Sequence, residues 1–127
     1  MATIELTADS FDDLVSRNDI VIIDFWAEWC GPCKAFGPVF EAASEKHDGV
    51  VFAKVDTEEQ QALAQAFQVR SIPMLMVFRE KVILYAQPGA LPPEGLDNII
   101  EQVKGLDMAK VHDEVAKQQA AQAGPEN

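Results

Sequence analysis

The chain is poor in cysteine, with two in 127 residues, and poor in positive charge, with Lys+Arg 10 against Asp+Glu 21. Two cysteines only three positions apart, Cys30 and Cys33, cannot staple a fold, so the core has to come from apolar burial. The formal charge of −11 repels the phosphate backbone and anionic bilayers, which argues against nucleic acid and membrane surfaces as partners. No apolar run is long enough to span a bilayer, and no basic stretch leads into an apolar signal core. A cytoplasmic address is therefore expected. Histidine is scarce as well, with His47 and His112 far apart and outside any paired motif. Zinc needs four donors, and with no other cysteine the C-x-x-C pair lacks the second half of a metal site.

What remains is an ordinary globular composition, 48% apolar and 24% charged, enough for one compact unit. Runs at 20–27, 50–55, 74–78 and 82–86 are rich in β-branched and aromatic residues and read as strands, and 3–7 alternates with Ile4 and Leu6 on one face. Helical spacing appears in Phe11, Leu14 and Val15 after Ser10, and in Phe36, Phe40 and Ala43 before Gly49. It recurs in Leu63 and Phe67, with Asp56 or Thr57 as a cap, and in Leu96, Ile99, Ile100 and Val103 between Pro93 and Gly105. The order β-α-β-α-β-α-β-β-α predicts an α/β class. Parallel crossovers come first, the short link after Phe78 makes an antiparallel hairpin, and the result is a mixed sheet of about five strands. Residues 106–117 continue as a short helix carrying Met108, Val111 and Val115, and 118–127 are expected to fray. The division is thus a domain over 1–105 and an extension over 106–127. Both histidines read as solvated.

Chemistry concentrates between a strand and a helix, in Trp26-Ala27-Glu28-Trp29-Cys30-Gly31-Pro32-Cys33-Lys34. A cysteine at a helix N-terminus faces unpaired N–H groups and the positive end of the helix dipole, and both favour thiolate. Cys30 becomes the exposed nucleophile, and Cys33, close behind it, the thiol that resolves a mixed disulfide. Asp24 interrupts Val21-Ile22-Ile23-Asp24-Phe25-Trp26, where a lone carboxylate is costly to desolvate. It reads equally as a general base for Cys33 or as a salt-bridged structural residue. Lys54 sits alike in its own strand, either beside Asp24 or snorkelling to solvent.

These residues resemble the thioredoxin family from about Thr3 to about Lys104. Asp24-Phe25-Trp26-Ala27-Glu28-Trp29-Cys30-Gly31-Pro32-Cys33-Lys34 matches its active-site pattern, and Pro38, Lys54, Asp56, Val69-Arg70-Ser71-Ile72-Pro73 and Gly89-Ala90-Leu91 follow in order. The resemblance implies a thioredoxin fold with four helices about the sheet, and Asp24 as buried base near Lys54. It also implies a cis Ile72-Pro73 bond beside the sulfurs and a docking surface of Trp29, Gly31, Pro32, Ile72, Gly89 and Ala90. The implied activity is reduction of disulfides in protein substrates. No cofactor is expected beyond the redox-active Cys30-Cys33 pair, and electrons would come from an NADPH-dependent thioredoxin reductase. A monomer is expected. Gly31-Pro32 resembles the reducing members rather than the oxidases or isomerases. A reductant dedicated to one enzyme, or a docking module that needs no thiol, are the alternatives. Three departures stand out: Met74 where threonine is usual, Arg79-Glu80-Lys81 in place of an Asn-Gly turn, and the extension beyond Gly105.

Overall fold

The computed structural model describes residues 2–123. Five strands, β1 (Thr3–Glu5), β2 (Ile20–Trp26), β3 (Val50–Asp56), β4 (Met74–Arg79) and β5 (Val82–Pro88), form one sheet in the order β1-β3-β2-β4-β5. The first three are mutually parallel, whereas β4 runs antiparallel to β2, and β5 to β4. Five helices accompany it: α1 (Ala8–Arg17), α2 (Gly31–Lys46), α3 (Gln61–Ala66), α4 (Pro93–Lys104) and α5 (Met108–Ala123). The expected mixed α/β sheet is present.

Strand parity divides the core. Ile20 and Ile22 of β2 face α2 and α4 and pack with Phe36, Phe40, Phe52, Leu96 and Ile100. Val21, Ile23 and Phe25 face the other way, toward Leu6, Val15 and Leu63, with Phe11 and Phe67 packed alongside. β2 is therefore covered on both sides, which is why its sequence is a near-continuous apolar run. Phe40 is fully buried with its ring 5.2 Å from that of Phe52. Phe40→Ala is expected to cost about 3–5 kcal/mol in urea-induced unfolding, because the removed ring leaves a void between α2 and the sheet.

Several local expectations change in the structure. β1 ends at Glu5; Leu6 is buried, but Ile4 stays 43% exposed because it lies on an edge strand at the margin of the helical cover. α3 starts at Gln61, and Asp56 instead caps the preceding turn by accepting the Glu58 and Glu59 N–H groups. α2 ends at Lys46, leaving Gly49 in the following turn at φ +83°. His47 is not solvated: it is buried at the C-cap of α2, with Nε2 2.8 Å from Asp97 Oδ1 on α4. That bond, followed by the one from Lys46, holds the Asp97 carboxyl below its ordinary range. α5 continues to Ala123, well past the expected fraying point, while 124–127 lie outside the described residues.

The hairpin also departs from the Asn-Gly pattern without opening. Glu80 and Lys81 both adopt positive φ, 50° and 70°, the conformation a two-residue turn of this hand requires. Contacts hold it there. The Glu80 N–H donates to Asp19 O, and the Glu80 carboxylate lies 2.6 Å from Nε2 of His112 on α5. Arg79 donates from Nη1 to the carbonyls of Val103, Lys104 and Leu106, closing the C-terminal end of α4 where α5 departs.

Candidate active site

β2, the central strand, ends where the parallel strands finish, and α2 begins just beyond it, so the intervening loop is short and tied down. Thr57 donates from its N–H and its hydroxyl to Trp26 O at 2.9 and 3.1 Å, and the Cys30 N–H donates to Ala27 O. Cys30 is the N-cap of α2, and Pro32 in the first turn needs no hydrogen-bond partner of its own. Cys30 and Cys33 are joined as a disulfide with their Cα atoms 5.2 Å apart. The Cys33 N–H donates to Cys30 Sγ at 3.1 Å, so the sulfur occupies the place of a capping oxygen at the positive end of the helix.

One expectation about this sulfur is not met. Cys30 is only 4% exposed in the disulfide form, scarcely more than Cys33 at 3%. The bonded pair packs against Ala27, Trp26 and Ile72. Around the recessed disulfide the rim is open: Trp29 is 70% exposed, and Gly31, Pro32, Gly89 and Ala90 are exposed while Ile72 is half-buried. Pro73 lies beneath the rim, buried.

The Ile72-Pro73 peptide is cis, and Cys30 Sγ lies 3.8 Å from Ile72 O. Gly89, at φ +107°, donates its N–H to Pro73 O at 2.8 Å, which fixes the Gly89-Ala90 segment beside the proline. Thus loops after β2, before β4 and after β5 meet at one pole of the sheet. Trp29 is steadied from a fourth segment, its Nε1–H donating to Glu58 Oε2 at 3.2 Å.

Behind the disulfide, Asp24 and Lys54 are register partners on β2 and β3, on the sheet face that α2 covers. Asp24 is fully buried, and neither carboxyl oxygen has a hydrogen-bond partner among the described residues. Burial pushes its pKa up to about 7, against the pull of Lys54 in the opposite direction. Lys54 is half-buried, its ammonium 4.8 Å above the Trp26 ring. The sequence reading anticipated Asp24 and Lys54 side by side, but not Trp26 or Glu58. Trp26 was detectable, since it lies two residues beyond Asp24 on the same strand face, whereas Glu58 carries no local signal.

Residues 2–102 match the family model described as Thioredoxin. The chain belongs to the thioredoxin family. A Streptomyces coelicolor protein named putative thioredoxin 2 is 58% identical over 123 residues, covering 97% of this chain and 91% of its own length. Thioredoxin C-3 of Corynebacterium nephridii is 41% identical over 107 residues, 80% of this chain and 74% of its own. Among solved structures, a mutant thioredoxin from Halobacterium salinarum superposes with a TM-score of 0.77 at 36% identity, covering 82% of this chain and 92% of that one. Family membership with the Cys30-Cys33 pair makes the protein a thioredoxin-type thiol–disulfide oxidoreductase. No helix among the described residues is long and apolar enough to cross a membrane, and no cluster of three or more metal-binding side chains occurs among them.

Proposed function

We propose that this thioredoxin is a cytoplasmic, monomeric protein-disulfide reductase, whose catalytic unit is residues 1–105 and whose electrons come from an NADPH-dependent thioredoxin reductase. The observation that carries the reading is Cys30 Sγ in the N-cap position of α2, accepting the Cys33 N–H at 3.1 Å. Once the disulfide is reduced, that N–H and the helix dipole favour the Cys30 thiolate.

The thiolate attacks one sulfur of a substrate disulfide, forming a Cys30–substrate bond and expelling the other substrate sulfur as a thiolate. Cys33 then gives its proton to Asp24 and attacks Cys30 Sγ, releasing the second substrate thiol and restoring the disulfide. Asp24 is suited to this because burial keeps its pKa near the working pH. Lys54 moderates that effect from the neighbouring strand. Trp29, Gly31, Pro32, Ile72, Pro73, Gly89 and Ala90 form the docking surface. The Ile72 backbone, which makes no backbone hydrogen bond among the described residues, is available to an extended substrate segment.

A coupled assay tests the reading: NADPH oxidation in the presence of a thioredoxin reductase, this chain and a disulfide-containing protein. Turnover should depend on all three. The Cys33→Ser variant should instead accumulate a covalent complex with the substrate through Cys30, visible as a mass shift that added dithiol removes. Absence of both turnover and adduct defeats the assignment.

A further inference from the structure

On the sheet face beneath α2, Glu5 of β1 pairs in register with Lys54 of β3, which pairs with Asp24 of β2. Exposure falls along this row: Glu5 is exposed, Lys54 half-buried and Asp24 fully buried. Two residues further along their strands, Asp56 and Trp26 point to the same side. The Lys54 ammonium therefore has carboxylates to choose from. On the solvent side, Glu5, Asp56 and Glu59 line a small cavity of about 30 Å3 together with Lys54 and Trp26. On the buried side lies Asp24.

Lys54 makes no ion pair within 4 Å among the described residues. Its Nζ sits instead 4.8 Å above the centre of the Trp26 ring, reaching under α2 to where a Cβ on Gly37 would be 3.9 Å away. An ammonium over an indole face is held by the ring quadrupole, and tryptophan is the strongest of the aromatic faces. On α2 the inward residues include Cys33, Phe36 and Phe40, and its carboxylate nearest this row, Glu41, is committed to Ala2 and Thr3; Asp24's partner on β4 is Leu75.

We propose that Trp26 is a positioning residue for disulfide exchange: its ring holds the Lys54 ammonium beside Asp24 against the pull of Glu5, Asp56 and Glu59. The proposal rests on the reading of Asp24 as the base for Cys33. Without the ring, a strongly hydrated ammonium moves outward to the three carboxylates and the cavity they line. Asp24 then loses the positive charge that opposes its burial.

The test follows the Asp24 carboxyl carbon by NMR through a pH titration of the oxidised, 13C-labelled protein. Four chains are compared: wild type, Trp26→Leu, Lys54→Met and the double variant. Trp26→Leu also admits water, so the informative quantity is its effect with and without Lys54. Its displacement of the Asp24 midpoint should be more positive, by roughly half a pH unit, when Lys54 is present than when it is methionine. Trp26→Phe, a weaker face of similar shape, should give a smaller difference of the same sign, and it decides the matter if Trp26→Leu does not fold. Equal displacements in the two backgrounds, or a difference of opposite sign, overturn the proposal. Because the carboxyl is observed directly, this result is independent of rate; failure of Asp24 as the base shows separately, as unchanged Cys33 attack in Asp24→Asn.

Discussion

The Cys30→Ser variant is expected to lose reduction of protein disulfides by roughly a thousandfold or more, down to the background of the reductant alone. A serine hydroxyl at the N-cap of α2 accepts the Cys33 N–H much as Cys30 Sγ does, so helix and fold should persist. What disappears is the nucleophile: neutral serine does not attack a disulfide sulfur, and Cys33, inside the first turn of α2 and not at its N-cap, is poorly placed to replace it. Far-UV circular dichroism should be unchanged while NADPH-coupled turnover vanishes. Substantial turnover in Cys30→Ser would move the attacking role to Cys33.

Asp24→Asn is expected to stabilise the oxidised protein at alkaline pH and to slow exchange. The carboxyl has an ordinary pKa of 3.8 when the chain is unfolded and about 7 when folded. Between those values the folded state binds the extra proton, so stability falls as pH rises through this window and stays low above it. At about 1.4 kcal/mol per pH unit, the interval sets a ceiling of about 4 kcal/mol on the penalty. Urea midpoints of wild type and Asp24→Asn should therefore lie close together near pH 4 and separate progressively up to about pH 8, with the variant more stable. Resolution of a Cys30-linked mixed disulfide should slow by about a hundredfold near neutrality, for want of a proton acceptor. Parallel stability profiles for the two proteins would refute the buried, neutral-to-charged carboxyl.

The sheet was legible because its burial is regular. β2 is apolar at consecutive positions because helices cover both sides, and Asp24 stands out against that run for the same reason. The loop chemistry was legible because Cys30, Gly31, Pro32 and Cys33 carry their helix-opening role in their own backbone preferences. What escaped depends on distant contacts. His47 looks like a polar residue at a helix end, and it takes Asp97 and Glu101, fifty and more positions later, to make its burial tolerable. The start of α3 shifted because Asp56 commits its carboxylate to the turn in front of the helix. Glu80 and Lys81 lack the glycine such a turn favours, and Asp19 and His112, remote in sequence, hold it closed. α5 outran its apolar stripe because alanine and glutamine sustain a helix without a core to face.

α5 leaves the body where Arg79 closes α4, and His112 links it to the sheet at the Glu80 turn. That turn lies at the far end of β4 from Pro73, and the six residues of the strand separate the two by about 20 Å. The molecule consequently has a handle and a working end. A dye, an affinity peptide or a bead attached along the outer part of α5 would sit at the opposite pole from Cys30, leaving a client free to approach the reactive sulfur of the immobilised protein.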